Sequence, residues 1–242
     1  MDRLRSLGKR LYRIKTTPNA TQHPRTSFKH MKTSKRVFPP GREDFAKDPL
    51  GYSSLAHSKW AVACERAGYS IDPAAPATSE HLKNPILWLS QANAMSQAAY
   101  AVLMTEQGFE SMPLSIRASS ESQYCAIALM LVGYSLEICL KGMIIMREGI
   151  EGYAVIEKKT RHHRLHDLAV FVPDLSKKDN AILIGLTHFV TWAGRYPDPG
   201  SGREADTGKV FDLAEKHKIT AGDVFSLSAR IMRHAATITD QL

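Results

Sequence analysis

The segment Tyr124–Met146 limits the architectures open to this chain more than any other. Wound as a helix at about 100° per residue, it carries apolar side chains round most of its circumference. Glu137 and Lys141, with Glu148 just beyond, fall in one narrow sector. A helix that lacks a polar face must be surrounded by other elements, so the segment is expected to be the central helix of a bundle. Its longest uncharged stretch, Tyr124–Leu136, has 13 residues. That is short of the roughly 20 needed to cross a bilayer, and Glu137 and Lys141 interrupt its continuation. A buried core helix with no membrane contact is expected.

The neighbouring segments carry helix signals of their own. Asn84-Pro85 offers an N-cap and a first-turn proline, and Leu89, Ala92, Ala99 and Leu103 recur at helical spacing up to about Glu106. The central helix is expected from Ser119 or Ser120 to near Gly149, followed by a linker. His166–Val172 suggests a short helix closed by Pro173. Ser176 can cap a helix from Lys177 to Trp192, whose apolar face is Ile182, Leu183, Leu186, Phe189 and Val190. The run Gly194-Arg195-Tyr196-Pro197-Asp198-Pro199-Gly200 ends it. Thr220 with Asp223 forms a capping signal ahead of the stripe Val224, Leu227, Ile231, Ala235 and Ile238. No strand-like alternation persists, so the fold class is all-α, an antiparallel helical bundle.

Charge divides the chain. It has 242 residues and a net charge of +8, yet residues 1–40 hold eleven Lys and Arg against one acid, Asp2. Everything after residue 40 is close to neutral. Residues 1–45, punctuated by Pro18, Pro24, Pro39 and Pro40, read as a disordered basic arm. Such an arm attracts polyanions or simply solubilises. Residues 46–83 read as a short helix, about Ser53–Ala67 with Leu55, Trp60 and Ala63 on one side, and a Pro/Ala/Ser-rich linker. Residues 84–242 read as the bundle. Cys64, Cys125 and Cys139 are odd in number and form no CxxC pair, which argues against a disulfide framework. The N-terminus has no apolar signal core, and a cytoplasmic location is expected.

Four constellations could carry chemistry. Glu137 and Lys141 stand one turn apart, acid before base, and read either as a structural ion pair or as the polar floor of a cleft. His162, His163 and His166 form a His-rich run, but Arg161 and Arg164 beside them disfavour a cation, so no metal is expected. His166 with Asp167 could instead cap the next helix. Arg195, next to Tyr196, lies just past a helix end. It could turn back onto the helix carbonyls, latch onto a carboxylate such as Glu137, or contact a phosphate. Arg230 and His234 share a face of the last helix, where such a pair could hold a phosphate and move a proton. The chain has no Gly-x-x-x-x-Gly-Lys loop, Gly-x-Ser-x-Gly elbow or His-Glu-x-x-His. The usual signatures of NTPases, serine hydrolases and zinc proteases are therefore missing.

Taken together, Tyr134-Ser-Leu-Glu137-Ile-Cys-Leu-Lys141-Gly, His166-Asp167-Leu168 and Arg195-Tyr196-Pro197 resemble the HEPN superfamily over roughly residues 84–240. The resemblance implies an antiparallel bundle that homodimerises through its helices, with no cofactor. It also implies a role in RNA cleavage, toxin–antitoxin pairing or defence. Family ribonucleases are metal-independent and place an Arg, four to six residues, then a His near the last helix. Arg230 and His234 are separated by three residues and depart from that spacing. Arg161 and His166 have four between them but precede the third helix; Arg25 and His30 also fit, in the arm. Two expectations follow. One is a HEPN-like protein acting on RNA, with Arg230 and His234 as catalytic candidates and the basic arm aiding capture. The other is a non-catalytic dimeric module that binds a partner such as an antitoxin or a ligand around Glu137, Lys141, His166, Asp167, Arg195 and Tyr196.

Overall fold

A computed structural model describes residues 42–239 apart from 55, 69, 70, 73, 74, 106, 199, 201 and 203. The basic arm up to residue 41, with Arg25 and His30, lies outside the described residues. Among the described residues every regular element is helical, in agreement with the all-α expectation. The chain divides into two compact units between Leu82 and Lys83.

In the first unit, α1 (Glu43–Lys47) and α2 (Pro49–Ser53) meet at Asp48, whose carboxylate accepts from Gly51 N at 2.9 Å. α1 begins inside the stretch expected to be disordered. α3 (Ala56–Arg66) buries Ala61, not Ala63, which is exposed; Leu55 is not among the described residues. The expected linker contains a helical turn, α4 (Ser79–Leu82), because Thr78 Oγ1 accepts from His81 N at 3.1 Å.

The second unit is built round one long helix. α5 (Pro85–Met104) starts where the sequence signals it, with Ile86 N donating to Asn84 Oδ1 at 2.9 Å. Ala92 and Ala99 are buried against the core, whereas Leu103 points outward. After a 3-10 turn (Gly108–Ser111), α6 spans Leu114–Thr160. It begins at Pro113, before the serines expected to start it. Gly149 does not end it. At φ 70° and ψ 173°, in a region essentially reserved for glycine, this residue kinks the chain and the helix resumes. The expected linker is therefore helical up to Thr160, held by buried Tyr153 and half-buried Ile156.

α5, the helical segments Leu165–Leu168 and Lys177–Ala193, and the helix Ala221–Thr239 all pack on α6. Its most apolar window has a mean hydropathy of 1.7 and is 61% buried inside the bundle, as a surrounded core helix requires. Two small residues set the approach of neighbours. Ser135, fully buried, donates to the Ala92 carbonyl at 2.7 Å and ties α6 to α5. Gly142 leaves room for Trp88, whose Cβ would lie 3.2 Å from an added methyl.

α7 (Leu165–Leu168) is a single turn. His166 lies inside it and does not cap it; the amide of Leu165 is instead satisfied by Thr187 Oγ1 at 3.0 Å. α8 (Lys177–His188) opens with a complete capping box from Ser176 and Asp179. It runs into a π turn, Phe189–Ala193. α9 (Glu204–His217), a helix beyond those expected from the sequence, packs on α8. α10 (Ala221–Thr239) buries Val224, Leu227, Ile231, Ala235 and Ile238, the whole expected stripe.

Candidate functional site: a buried carboxylate shared by a lysine and a histidine

Because α6 is surrounded, Glu137 lies in the interior with its side chain only 6% exposed. A lone carboxylate there would be strongly disfavoured. Its two oxygens are divided between two partners. Oε1 accepts from Lys141 Nζ at 2.7 Å, one turn along the same helix, and Oε2 faces His163 Nδ1 at 2.8 Å. His163 reaches it because α6 continues to Thr160, so the chain leaves the helix beside Glu137. The Tyr134 ring meets His163 edge to face at 6.0 Å.

An ionised carboxylate only accepts, so in this contact Nδ1 carries a proton; in the neutral ring the lone pair is then on Nε2. The histidine side chain is 45% exposed. A buried carboxylate that orients an accessible imidazole in this way can support proton transfer, and Lys141 balances the carboxylate's charge.

Around this dyad lies a basic loop. His162 Nδ1 accepts from Arg164 N at 3.2 Å. Burial, then the Arg164 charge, lower its pKa from the usual histidine value, so its ring favours the neutral form. Arg161 pairs with Glu157 at 3.3 Å, and Glu157 also binds Lys83 at 2.9 Å. The Arg164 guanidinium grips Asp167 at 2.5 Å and holds its carboxyl below the usual range. His166 Nε2 lies 3.3 Å from Asp167, while its Nδ1 is buried with no hydrogen-bonding group beside it. Among the described residues no group of three or more His, Cys, Asp or Glu side chains is arranged to hold a metal ion.

The other singled-out residues stand apart. Arg195 turns back onto the Thr191 carbonyl and lies over the Tyr196 ring at 5.5 Å. It does not latch onto Glu137, whose oxygens are taken. Arg230 projects from α10 to Asp179 at the start of α8, with Nη2 2.6 Å from Oδ1. His234 Nδ1 lies 2.9 Å from Thr237 Oγ1. The structure thus brings Glu137 and Lys141 together with His163, which in the sequence is only one member of a His-rich run. A gap of 26 residues between partners matches no helical period, so only the fold reveals the contact.

Compared with known protein families, curated proteins and solved structures, the chain matches none.

Proposed function

We propose that this is a HEPN-like protein that acts on RNA, with metal-independent cleavage centred on the Glu137–His163 dyad. The observation that carries the reading is the 2.8 Å contact between a buried carboxylate and an accessible imidazole, set in a loop with exposed Arg161 and Arg164. In this reading His163 Nε2 takes the proton from a ribose 2′-hydroxyl as its oxygen attacks the adjacent phosphorus. The bond to the 5′ oxygen breaks, that oxygen takes up a proton, and a cyclic phosphate is left. The loop arginines favour the negative charge gathered on the phosphate, and the basic arm supplies salt-sensitive capture.

A second reading, a non-catalytic HEPN-like dimeric module that binds a protein partner or a small ligand, is favoured by a different observation. Arg230, the cation of the other catalytic candidate, is already engaged by Asp179. Incubating purified protein with end-labelled RNA in EDTA separates the two. The cleavage reading expects His163→Ala to abolish cleavage and the double variant Arg230→Ala, His234→Ala to retain it. Cleavage lost only in the double variant moves the chemistry to α10. Absence of cleavage by the folded wild type, across several RNAs that it binds, favours the binding module.

A further inference from the structure

The end of α8 has a feature that the dyad does not use. Between Phe189 and Ala193 the helix widens into a π turn, closed by Gly194 N donating to the Phe189 carbonyl at 3.1 Å. π turns are rare and cluster at functional sites. Two glycines hold this one against α6. A methyl on Gly133 would lie 2.4 Å from Val190 Cγ2, and one on Gly194 would lie 2.3 Å from Met130 Cβ. Neither position accepts a side chain without displacing the turn.

Half-buried rings cluster at the clamped turn. The His188 ring meets the Trp192 ring at 4.6 Å and 73°, and Phe189 edge-on at 5.5 Å. Burial lowers the pKa of His188 from the usual histidine value, so its ring favours the neutral form there. One turn further on, Tyr196 is 56% exposed, and the Arg195 guanidinium lies 5.5 Å over its ring while bonded to the Thr191 carbonyl. An exposed tyrosine gains nothing from the core. Here it is half of a cation–ring pair just past the π turn, with its amide bonded to the carbonyl of half-buried Trp192 at 2.9 Å.

We propose that Trp192, Arg195 and Tyr196 form a stacking ledge for unpaired bases of a single-stranded RNA. Bases stack on tyrosine, tryptophan and the flat guanidinium of arginine, and an arginine held beside such rings also faces the neighbouring phosphate. The cation distinguishes the ledge from a bare aromatic groove, which would suit a proline-rich peptide. The proposal rests on the RNA reading above but not on cleavage, and it assigns the recognised element: the face of an unstacked base.

Binding of full-length protein to fluorescent oligoadenylate, an abasic oligomer of equal phosphate number, and an RNA duplex tests it. Measurements at low salt and at salt high enough to suppress phosphate contacts separate the arm from the ledge. Tyr196→Ala changes an exposed side chain, so the fold survives, and circular dichroism checks this. At high salt, Tyr196→Ala should weaken oligoadenylate binding by roughly five- to 150-fold, the range of one lost stacking contact. Tyr196→Phe should bind as the wild type does, and the abasic and duplex probes should bind weakly to every variant. If wild type and Tyr196→Ala bind oligoadenylate equally, or the abasic oligomer binds as tightly as oligoadenylate, the ledge is overturned while RNA binding stands. If the wild type binds no RNA at either salt, the RNA reading fails and takes the ledge with it. If a proline-rich peptide binds in a Tyr196-dependent way and displaces no RNA, the ledge belongs to a protein partner and the proposal is wrong.

Discussion

Replacing Glu137 by alanine should be among the most damaging single changes in the bundle, and its size can be worked from the contacts. The substitution removes both acceptor oxygens. Lys141, only 14% exposed, is left as a cation with no carboxylate. Breaking one side of a buried ion pair costs about 3–5 kcal/mol. Two features move the value to the lower end. Lys141 has a flexible stem that can carry its ammonium toward solvent, and His163, 45% exposed, can rebond to water at a cost of under about 1 kcal/mol. A loss of about 3 kcal/mol is expected, or roughly 6–12 °C in melting temperature for a chain of this size. Urea unfolding followed by circular dichroism measures it, with the slope m expected to stay unchanged. The control is Glu137→Leu with Lys141→Met. Swapping both charges for apolar groups of similar volume is often neutral, so the pair should recover most of the loss. A single-variant loss below about 1 kcal/mol, typical of exposed pairs, would refute the account. So would a double variant as unstable as Glu137→Ala.

Two further outcomes follow from the helix ends and the π turn. Burial pushes the Asp179 carboxyl up, but the Arg230 and Ser176 hydrogen bonds outweigh it and leave it below its usual value of 3.8. The Lys178 contact, with Thr220, holds Asp223 at about 2. Both folded values are depressed, so between about 2 and 3.8 the unfolded chain binds more protons. Their stabilisation is complete above the unfolded value and lost as pH falls through the folded one. Urea midpoints should therefore fall across that window, and less steeply in Asp223→Asn; identical slopes would contradict the assignment. At Gly194 an added methyl would also lie 3.0 Å from the Ala126 carbonyl, so Gly194→Ala should cost about 1–3 kcal/mol, as overpacking does. Gly185→Ala, with nothing within 4 Å of the new atom, should instead gain up to about 1 kcal/mol of helix propensity. Equal stabilities for the two variants would show that the π turn is not clamped.

Three helix starts were legible because their chemistry is local. Asn84-Pro85, Ser176 and Thr220 with Asp223 each bond within a few residues, and all three begin helices. The central position of α6 was legible from its lack of a polar face. What escaped detection depends on distant partners. Gly149 carries the usual mark of a helix end, yet the chain re-enters the helix because Tyr153 finds a place in the core. α9 went unseen because it is short of apolar positions and follows a Pro/Gly run; Phe211, its one large ring, is 70% exposed. Leu103 fitted a stripe by spacing alone and is 40% exposed. The candidate site was half legible. Glu137 and Lys141 announce themselves as charges on an apolar helix, whereas His163 has no sequence signal that separates it from His162 or His166.

The two capping boxes bear on where chemistry can occur in this molecule. Both use Asp at the third position, where Glu or Gln is more usual. At Asp179 the carboxylate splits its work: Oδ2 takes Ser176, and Oδ1 takes Arg230 from α10. At Asp223 the carboxylate takes Thr220 and, across from α8, Lys178 at 2.6 Å. Each helix start is thus tied to a cation on the other helix, Asp179 to Arg230 in the middle of α10 and Asp223 to Lys178 in the first turn of α8. An Arg engaged in this way must leave Asp179 before it can grip a phosphate, and Asp179, 8% exposed, would then lose a hydrogen bond to its charged form. That cost of about 1–3 kcal/mol opposes any mechanism that recruits Arg230. Arg161 and Arg164 of the loop between α6 and α7, paired with Glu157 and Asp167, would likewise have to leave their carboxylates to grip a phosphate. The loop therefore differs from α10 in its carboxylate-held imidazole, His163 on Glu137, and not in freer cations.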